Sequence, residues 1–244
     1  TDTSDHVEPG EAEEAGASNA LSDLEIVSLG HDLAAGQLAE WLETSLPADG
    51  DNGTRPLGVD VVGVLRPVEG DAALVSLSDG SRAVVVDLTE ILPEDEAALA
   101  RLLADVERPK LVADAKGSWH ALSARGLTLD GVVADPSLAG YLCRPEQRSY
   151  DVDTLTQRWL GIDLAAVNEG RAPAGDSSRE SQSAFDLEAL TSEAVPASHL
   201  ASAGRAAALL PLQVVLDEQM AARDALGLFT DLEMPVAATL TVME

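Results

Sequence analysis

Residues 110–143 read KLVADAKGSWHALSARGLTLDGVVADPSLAGYLC, and their pattern decides the fold. KLVAD is a short apolar run ending in a turn, the signature of a buried strand. SWHALSARG has the spacing of a short helix and closes on Gly126, a residue suited to a helix C-terminus. GVVAD repeats the strand pattern, and PSLAGYLC begins with Pro136, which fits a first helical position. Strands that alternate with helices in this way pair in parallel.

Working upstream, LGVDVVGVLR (57–66), AALVSL (72–77) and SRAVVVDL (81–88) are β-branched and apolar, separated by EGD and SDG turns. They predict an antiparallel meander of three strands. Between meander and βαβ units, PEDEAALARLLADV (93–106) has Pro93 and acids in its first turn, with Leu99, Leu102, Leu103 and Val106 along one face. That is an amphipathic helix with favourable N-terminal charge. The expected architecture is therefore α/β: a mixed five-stranded sheet, meander first and parallel units after, flanked by helices.

The flanks are less regular. Residues 1–20 are acidic with no apolar period and are expected to be a disordered linker. Residues 21–55 form a lead-in with short helical patterns; Leu38, Trp41 and Leu46 suggest one helix face, stopped by Pro47, and ADGDNGTRP (48–56) is a turn-rich linker. Downstream, DVDTLTQRWLG (151–161) predicts a helix with Val152, Leu155 and Trp159 on one side. AAVNEGRAPAGDSSRESQS (165–183) is expected to be a polar, mobile loop. From Ala184 the pattern is helical: FDLEAL, then a long apolar segment in which Pro211 either kinks a helix or starts a new one, then LFTDLEMPVAATLTVME (228–244).

The 244 residues are 45% apolar, enough for one sizeable domain with appendages. No run of 18 apolar residues suggests a membrane span, and the start has no signal-peptide pattern. The chain begins with Thr1 and stops inside an apolar helical pattern, so it is read as a segment of a longer polypeptide. The single Cys143 excludes an internal disulfide and fits a reducing cytoplasm.

Charge narrows function further. Fifteen Lys and Arg face 43 Asp and Glu, for a net charge of −28, and only Lys110 and Lys116 are lysines. Such a surface repels a phosphate backbone and lacks a basic groove. With three Trp, two Tyr and two Phe, it also has little aromatic area for stacking bases. The segment alone is expected to bind nucleic acid weakly. His6, His31, His120 and His199 show no ligand spacing that would suggest zinc, and nothing matches a phosphate-cradling loop or a nucleophile elbow.

Several motifs together resemble one family. LSDLEIVSL (21–29), VADAKGSWHALSARGLTLDGVVADPSLAGYL (112–142), SYDVDTLTQRWLGIDL (149–164) and above all LFTDLEMPVAATLTVME (228–244) are similar to the 3′–5′ exonuclease-like domain of bacterial DNA polymerase I, in the ribonuclease H-like (DnaQ-like) superfamily. The last of these resembles the family's junction into the polymerase thumb, which favours polymerase I over ribonuclease D. The resemblance runs from about Leu24 to the end. It implies 21–55 as a lead-in from the 5′-nuclease side, 56–225 as the exonuclease-like domain and 226–244 as the truncated start of the polymerase domain. Few lysines among abundant Ala, Asp and Arg suggest a high-GC, actinobacterial-type source.

The resemblance also implies a metal site. Active members hold two divalent cations with four carboxylates, a pair roughly 4 Å apart stabilising attacking and leaving oxygens. Hard cations such as Mg²⁺ need several oxygen ligands. In the first motif, Asp-x-Glu, Asp60 matches the Asp and Val62 stands in place of the Glu. In the second, Asp114 and Lys116 fit the frame and Ser118 stands at the Asp. In the third, Tyr-x-x-x-Asp, Leu200 stands at the Tyr and Gly204 at the Asp. Asp60 is then a lone remnant, expected to pair with an arginine or a helix N-terminus or to lie at the wet end of its strand, because an unpaired buried carboxylate is costly. Asp114 and Lys116 suggest a surface pair, and Asp135 a helix N-cap.

The reading that follows is an exonuclease-like domain without proofreading activity and without a cofactor of its own, Mg²⁺ belonging to active relatives and to the parent polymerase. It would be a spacer that packs against the polymerase and 5′-nuclease domains of the same chain. The parent would act in DNA replication and repair, contact DNA through its other parts, and be cytoplasmic and nucleoid-associated, with no membrane role. The rival is an active exonuclease that rebuilds its site from Asp60 with Asp87, Asp135 or Glu188. A third reading is a protein-binding module whose acidic tail recruits a basic partner.

Overall fold

The computed structural model describes residues 11–46, 49–50, 53–171 and 195–243. Its central sheet holds β1 (Glu25–Ser28), β4 (Leu57–Val64), β5 (Asp71–Ser78), β6 (Arg82–Asp87), β7 (Lys110–Val112) and β8 (Val132–Ala134); β2 (Asp49–Gly50) and β3 (Gly53–Thr54) form a separate short ladder. The six strands lie in the order β1-β6-β5-β4-β7-β8. The meander β4-β5-β6 is antiparallel; β7 joins β4, β8 joins β7 and β1 joins β6 in parallel.

The helices are α1 (Glu11–Ser22), α2 (Leu38–Ser45), α3 (Pro93–Ala104), α4 (Ala115–Ala124), α5 (Pro136–Cys143), α6 (Val152–Trp159), α7 (Leu164–Arg171), α8 (Ala197–Ala221) and a closing helix, Leu226–Met243, with a π turn at Phe229–Glu233. The side-chain alternation of β6 sorts them into two layers. Ala83 and Val85 face a core shared with α5, α6 and α8, while Val84 and Val86 face one shared with α2, α3 and α4. Buried on both faces, these strands carry the near-continuous apolar runs seen in the sequence.

The approach of α8 to the sheet is set by small residues. Ala203, Ala206 and Ala207 are fully buried on it, and a Cβ on Gly58 of β4 would overlap the Ala206 carbonyl. Pro211 lies inside α8 without ending it. The helix has the length and hydropathy of a membrane span, as does the closing helix. In α8 the apolar surface is used against the sheet, and the closing helix carries Asp231 and Glu233, which a bilayer disfavours.

Several expectations need correction. The sheet has six strands, not five, because Glu25–Ser28, read as part of a helical lead-in, pairs with β6. The linker expected over 1–20 is helical in its second half, as α1; its first ten residues lie outside the described set. Leu164–Arg171 is helix α7, where a loop was expected; residues 172–194, with the rest of that loop and FDLEAL, lie outside the described set, as does Pro47. Within 48–56, Asp49–Gly50 pairs with Gly53–Thr54. Val106 lies beyond the end of α3 and is 67% exposed, so Leu99 and Leu103 carry the buried face.

The lead-in is fastened as well as paired. The buried Asp95 carboxylate in α3 accepts the N–H groups of Gly36 (2.7 Å) and Leu38 (3.1 Å), which satisfies the start of α2 across 57 residues of chain.

Candidate functional site

The C-terminal ends of the parallel strands β7 and β8 and the second half of β4 open onto a cleft of 720 Å³. Open α/β sheets place ligand crevices at such strand ends. Its floor is Asp60, Val62 and Ala113; its walls are α5, the start of α6 and one turn of α8, which contribute Ser137, Tyr141, Asp151, Asp153 and Arg205. Tyr141 and Tyr150 meet edge to face on its rim, centroids 5.6 Å apart.

Asp60 is 11% exposed and fully engaged. Arg205 Nη2 donates to Oδ2 at 2.9 Å, and Arg205 Nε reaches Oδ1 at 3.1 Å and Oδ2 at 3.3 Å. Ser202 Oγ donates to Oδ2 at 2.7 Å and accepts from Ser76 Oγ at 2.7 Å. A two-pronged guanidinium–carboxylate pair of this kind is strong and directional. Burial opposes the Arg205 charge, but the facing carboxylates of Asp60, Asp153 and Asp151 outweigh it and hold its pKa above the usual value. Asp153 is raised, first by burial and further by Asp151 and Asp60, with Arg205 pulling the other way. Burial also works to raise Asp151, yet hydrogen bonds from Ser149 and Thr154 leave it lowered overall.

Asp135 caps α5 as expected, accepting from Ser137 N (2.8 Å) and Leu138 N (3.3 Å), and also takes Asp114 N (3.1 Å) and Ala115 N (2.9 Å) at the start of α4. Burial raises its pKa to about 6 against the pull of those N–H groups. Asp114, at φ 47°, caps α4 by accepting Gly117 N at 3.1 Å, a role beyond the surface pair read from the sequence.

The other motif positions are not brought to the cleft as ligands. Val62 lines it but is apolar. Ser118 is fully buried, with Oγ 3.4 Å from the Ala113 carbonyl, and is not among the lining residues. At Gly204 a Cβ would lie 3.1 Å from Asn168 Oδ1, so α7 has closed over that position. Leu200 is buried and brings no hydroxyl. Of the substitute carboxylates, Asp135 is committed to backbone N–H groups, Asp87 binds Thr89 away from the cleft, and Glu188 lies outside the described residues. Among the described residues, no three His, Cys, Asp or Glu side chains are grouped to hold a metal ion. The described residues do not fit a pair of divalent cations.

Sequence reading missed Arg205, Ser202 and Asp153. A signal for the first was available: Arg205 is the lone Arg or Lys of α8, and Asp60 the lone charge of β4. A lone cation and a lone acid in two largely buried elements call for each other. His31 and His199, read as scattered, share a second cleft with Asp87; His199 Nδ1 is 2.9 Å from Ser28 Oγ, and its pKa is lowered, chiefly by burial. His6 lies outside the described residues.

A mixed sheet of this order, with its cleft at the parallel strand ends, defines a ribonuclease H-like exonuclease fold. Brucella melitensis NrnC with bound Mg²⁺ shares it at a TM-score of 0.55 and 16% identity, over 90% of this chain and 91% of that one. The profile described as "DNA polymerase I, ribonuclease H-like domain" matches residues 67–167. DNA polymerase I of Mycobacterium tuberculosis is 36% identical over 214 residues, 87% of this chain and 22% of that protein. The POL domain of Pol1 from M. smegmatis, in complex with DNA primer-template and dNTP, superposes at a TM-score of 0.66 with 33% identity, over 90% of this chain and 31% of that one. The chain belongs to the DNA polymerase I family, as its ribonuclease H-like, exonuclease-like domain. It spans about a fifth of the length of the curated relatives it matches.

Proposed function

We propose that this domain does not proofread and acts as a spacer and packing domain within a longer DNA polymerase I. The observation that carries the reading is the Asp60 carboxylate, whose oxygens are taken by Arg205 and Ser202. A carboxylate neutralised by a guanidinium is a poor ligand for Mg²⁺, which prefers unencumbered oxygen donors and gives up water reluctantly. With Val62, Ser118 and Gly204 at the other motif positions, three of the four carboxylates that would balance two divalent charges are missing, and among the described residues the other acids that line the cleft are not grouped to hold a metal ion. On this reading the domain needs no cofactor of its own. Its place is between the polymerase and 5′-nuclease parts of a cytoplasmic, nucleoid-associated enzyme of DNA replication and repair, which contacts DNA mainly through those other parts.

The test is degradation of a 3′-end-labelled single strand by this chain with Mg²⁺, with Mn²⁺ and with EDTA, beside Asp60→Ala. The expected outcome is no metal-dependent loss of label. Loss that needs metal and disappears in Asp60→Ala would overturn the reading.

A further inference from the structure

We infer that Arg205 is the resident cation of the cleft: its guanidinium takes over the charge balance of Asp60, Asp151 and Asp153, and by occupying Asp60 it keeps divalent cations out. The inference rests on the non-proofreading reading and deepens it, since it names what fills the electrostatic role of a metal.

Three observations carry it. First, the pair is built. Asp60 lies within a hydrogen-bonded chain running from Ser76 on β5 through Ser202 on α8, so carboxylate and guanidinium are held from both sides of the helix–sheet contact. Gly58 and the buried alanines of α8 set that contact, so Arg205 has little freedom to withdraw. Second, Arg205 faces a set of acids, not one partner. Asp151 and Asp153 line the same cleft from the start of α6, and Asp114 and Asp135 line it from the ends of β7 and β8. Arg205 is the sole Lys or Arg among the described lining residues. Third, the guanidinium is permanently charged and has five donors in a fixed fork, so, unlike a metal, it cannot dissociate. A divalent cation would have to break the fork at Asp60 and shed water for a site that already holds a positive charge.

The consequence is a divalent-ion response opposite to that of a metal nuclease. Mn²⁺ uptake, read by loss of the free-ion electron paramagnetic resonance signal, is measured on the full chain for wild type, Asp60→Asn, Arg205→Gln and Arg205→Gln/Asp60→Asn. The many surface acids contribute equally to all four and cancel in the differences. Wild type and Asp60→Asn are expected to take up Mn²⁺ identically. Arg205→Gln is expected to bind it about tenfold more tightly, and adding Asp60→Asn should abolish that gain. The thermal midpoint of Arg205→Gln should rise with Mn²⁺ beyond the rise given by NaCl at equal ionic strength, while wild type shows no such excess.

Wild-type uptake that Asp60→Asn removes would overturn the inference without any need for the Arg205 variant to fold. So would an Arg205→Gln protein indifferent to Mn²⁺. The two readings fail separately: strand degradation without Mn²⁺ uptake at Asp60 overturns the non-proofreading role and leaves the resident cation in place.

Discussion

Lys110 is a fully buried ammonium whose three protons are all used. Its Nζ donates to the carbonyls of Asp105 (2.7 Å), Arg108 (2.9 Å) and Asp130 (2.8 Å), and so ties the turn before β7 to the turn before β8. Burial lowers its pKa to about 8 from 10.5, against the pull of Asp105 and Asp130. Between these values the unfolded chain binds more protons than the folded one, so this residue's contribution to stability rises as pH climbs from about 8 towards 10.5. Lys110→Met is expected to cost about 1–3 kcal/mol at pH 7, because it removes the buried donor that three carbonyls share, of which that of Asp105 keeps the Arg108 N–H at 3.3 Å. It should also remove the alkaline gain, which urea titrations of both proteins at pH 7, 8 and 10 would check; parallel pH profiles would refute the assignment. Neither role was legible in the sequence, where Lys110 is one charge ahead of an apolar run. The Asp60–Arg205 pair was half legible, since its need for a partner followed from an apolar strand, while the partner came from α8, 145 residues away.

At the scale of elements, Asp135 links two helices with one side chain. It accepts N–H groups at the starts of both α4 and α5, donors that a helix leaves unpaired. Asp135→Ala is expected to cost about 2 kcal/mol or more, above the ordinary loss of a single N-cap. Hydrogen exchange should accelerate in α4 and α5 together; faster exchange in α5 alone would reduce Asp135 to the simple cap the sequence suggested. Elements with strong apolar periods, from the meander to α6, could be read directly. The missed ones have little buried surface to leave a period. Among the described side chains, α1 buries only Leu21 and α7 only Leu164, and β1 is an edge strand with Ser28 as its one buried residue. Their structure comes from tertiary contacts, which override weak local preference. In the site, absences were legible and replacements were not: a missing carboxylate shows as Val62 or Gly204, but the Asn168 side chain against Gly204 depends on how α7 folds back.

For the whole molecule, a net charge of −28 leaves most carboxylates without a basic side chain to pair with. Glu40 and Glu43 on α2, Glu94 at the start of α3 and Glu107 after it are all exposed on the layer opposite α8. A field of one sign extends about a Debye length from the surface, roughly 30 Å at 0.01 M salt and 3 Å at 1 M. On the reading proposed above, such a face within a longer polymerase would repel a phosphate backbone and leave DNA to more basic surfaces. Replacing these four glutamates by glutamine in the full-length protein is therefore expected to tighten DNA binding at low salt, with the curves converging as screening sets in. The charge-neutral fold contacts are untouched by these changes, so polymerase activity at saturating DNA should stay the same. DNA affinity that is unchanged at every salt concentration would show that the acidity of this face has no part in steering DNA, and would leave the domain's role to its packing alone.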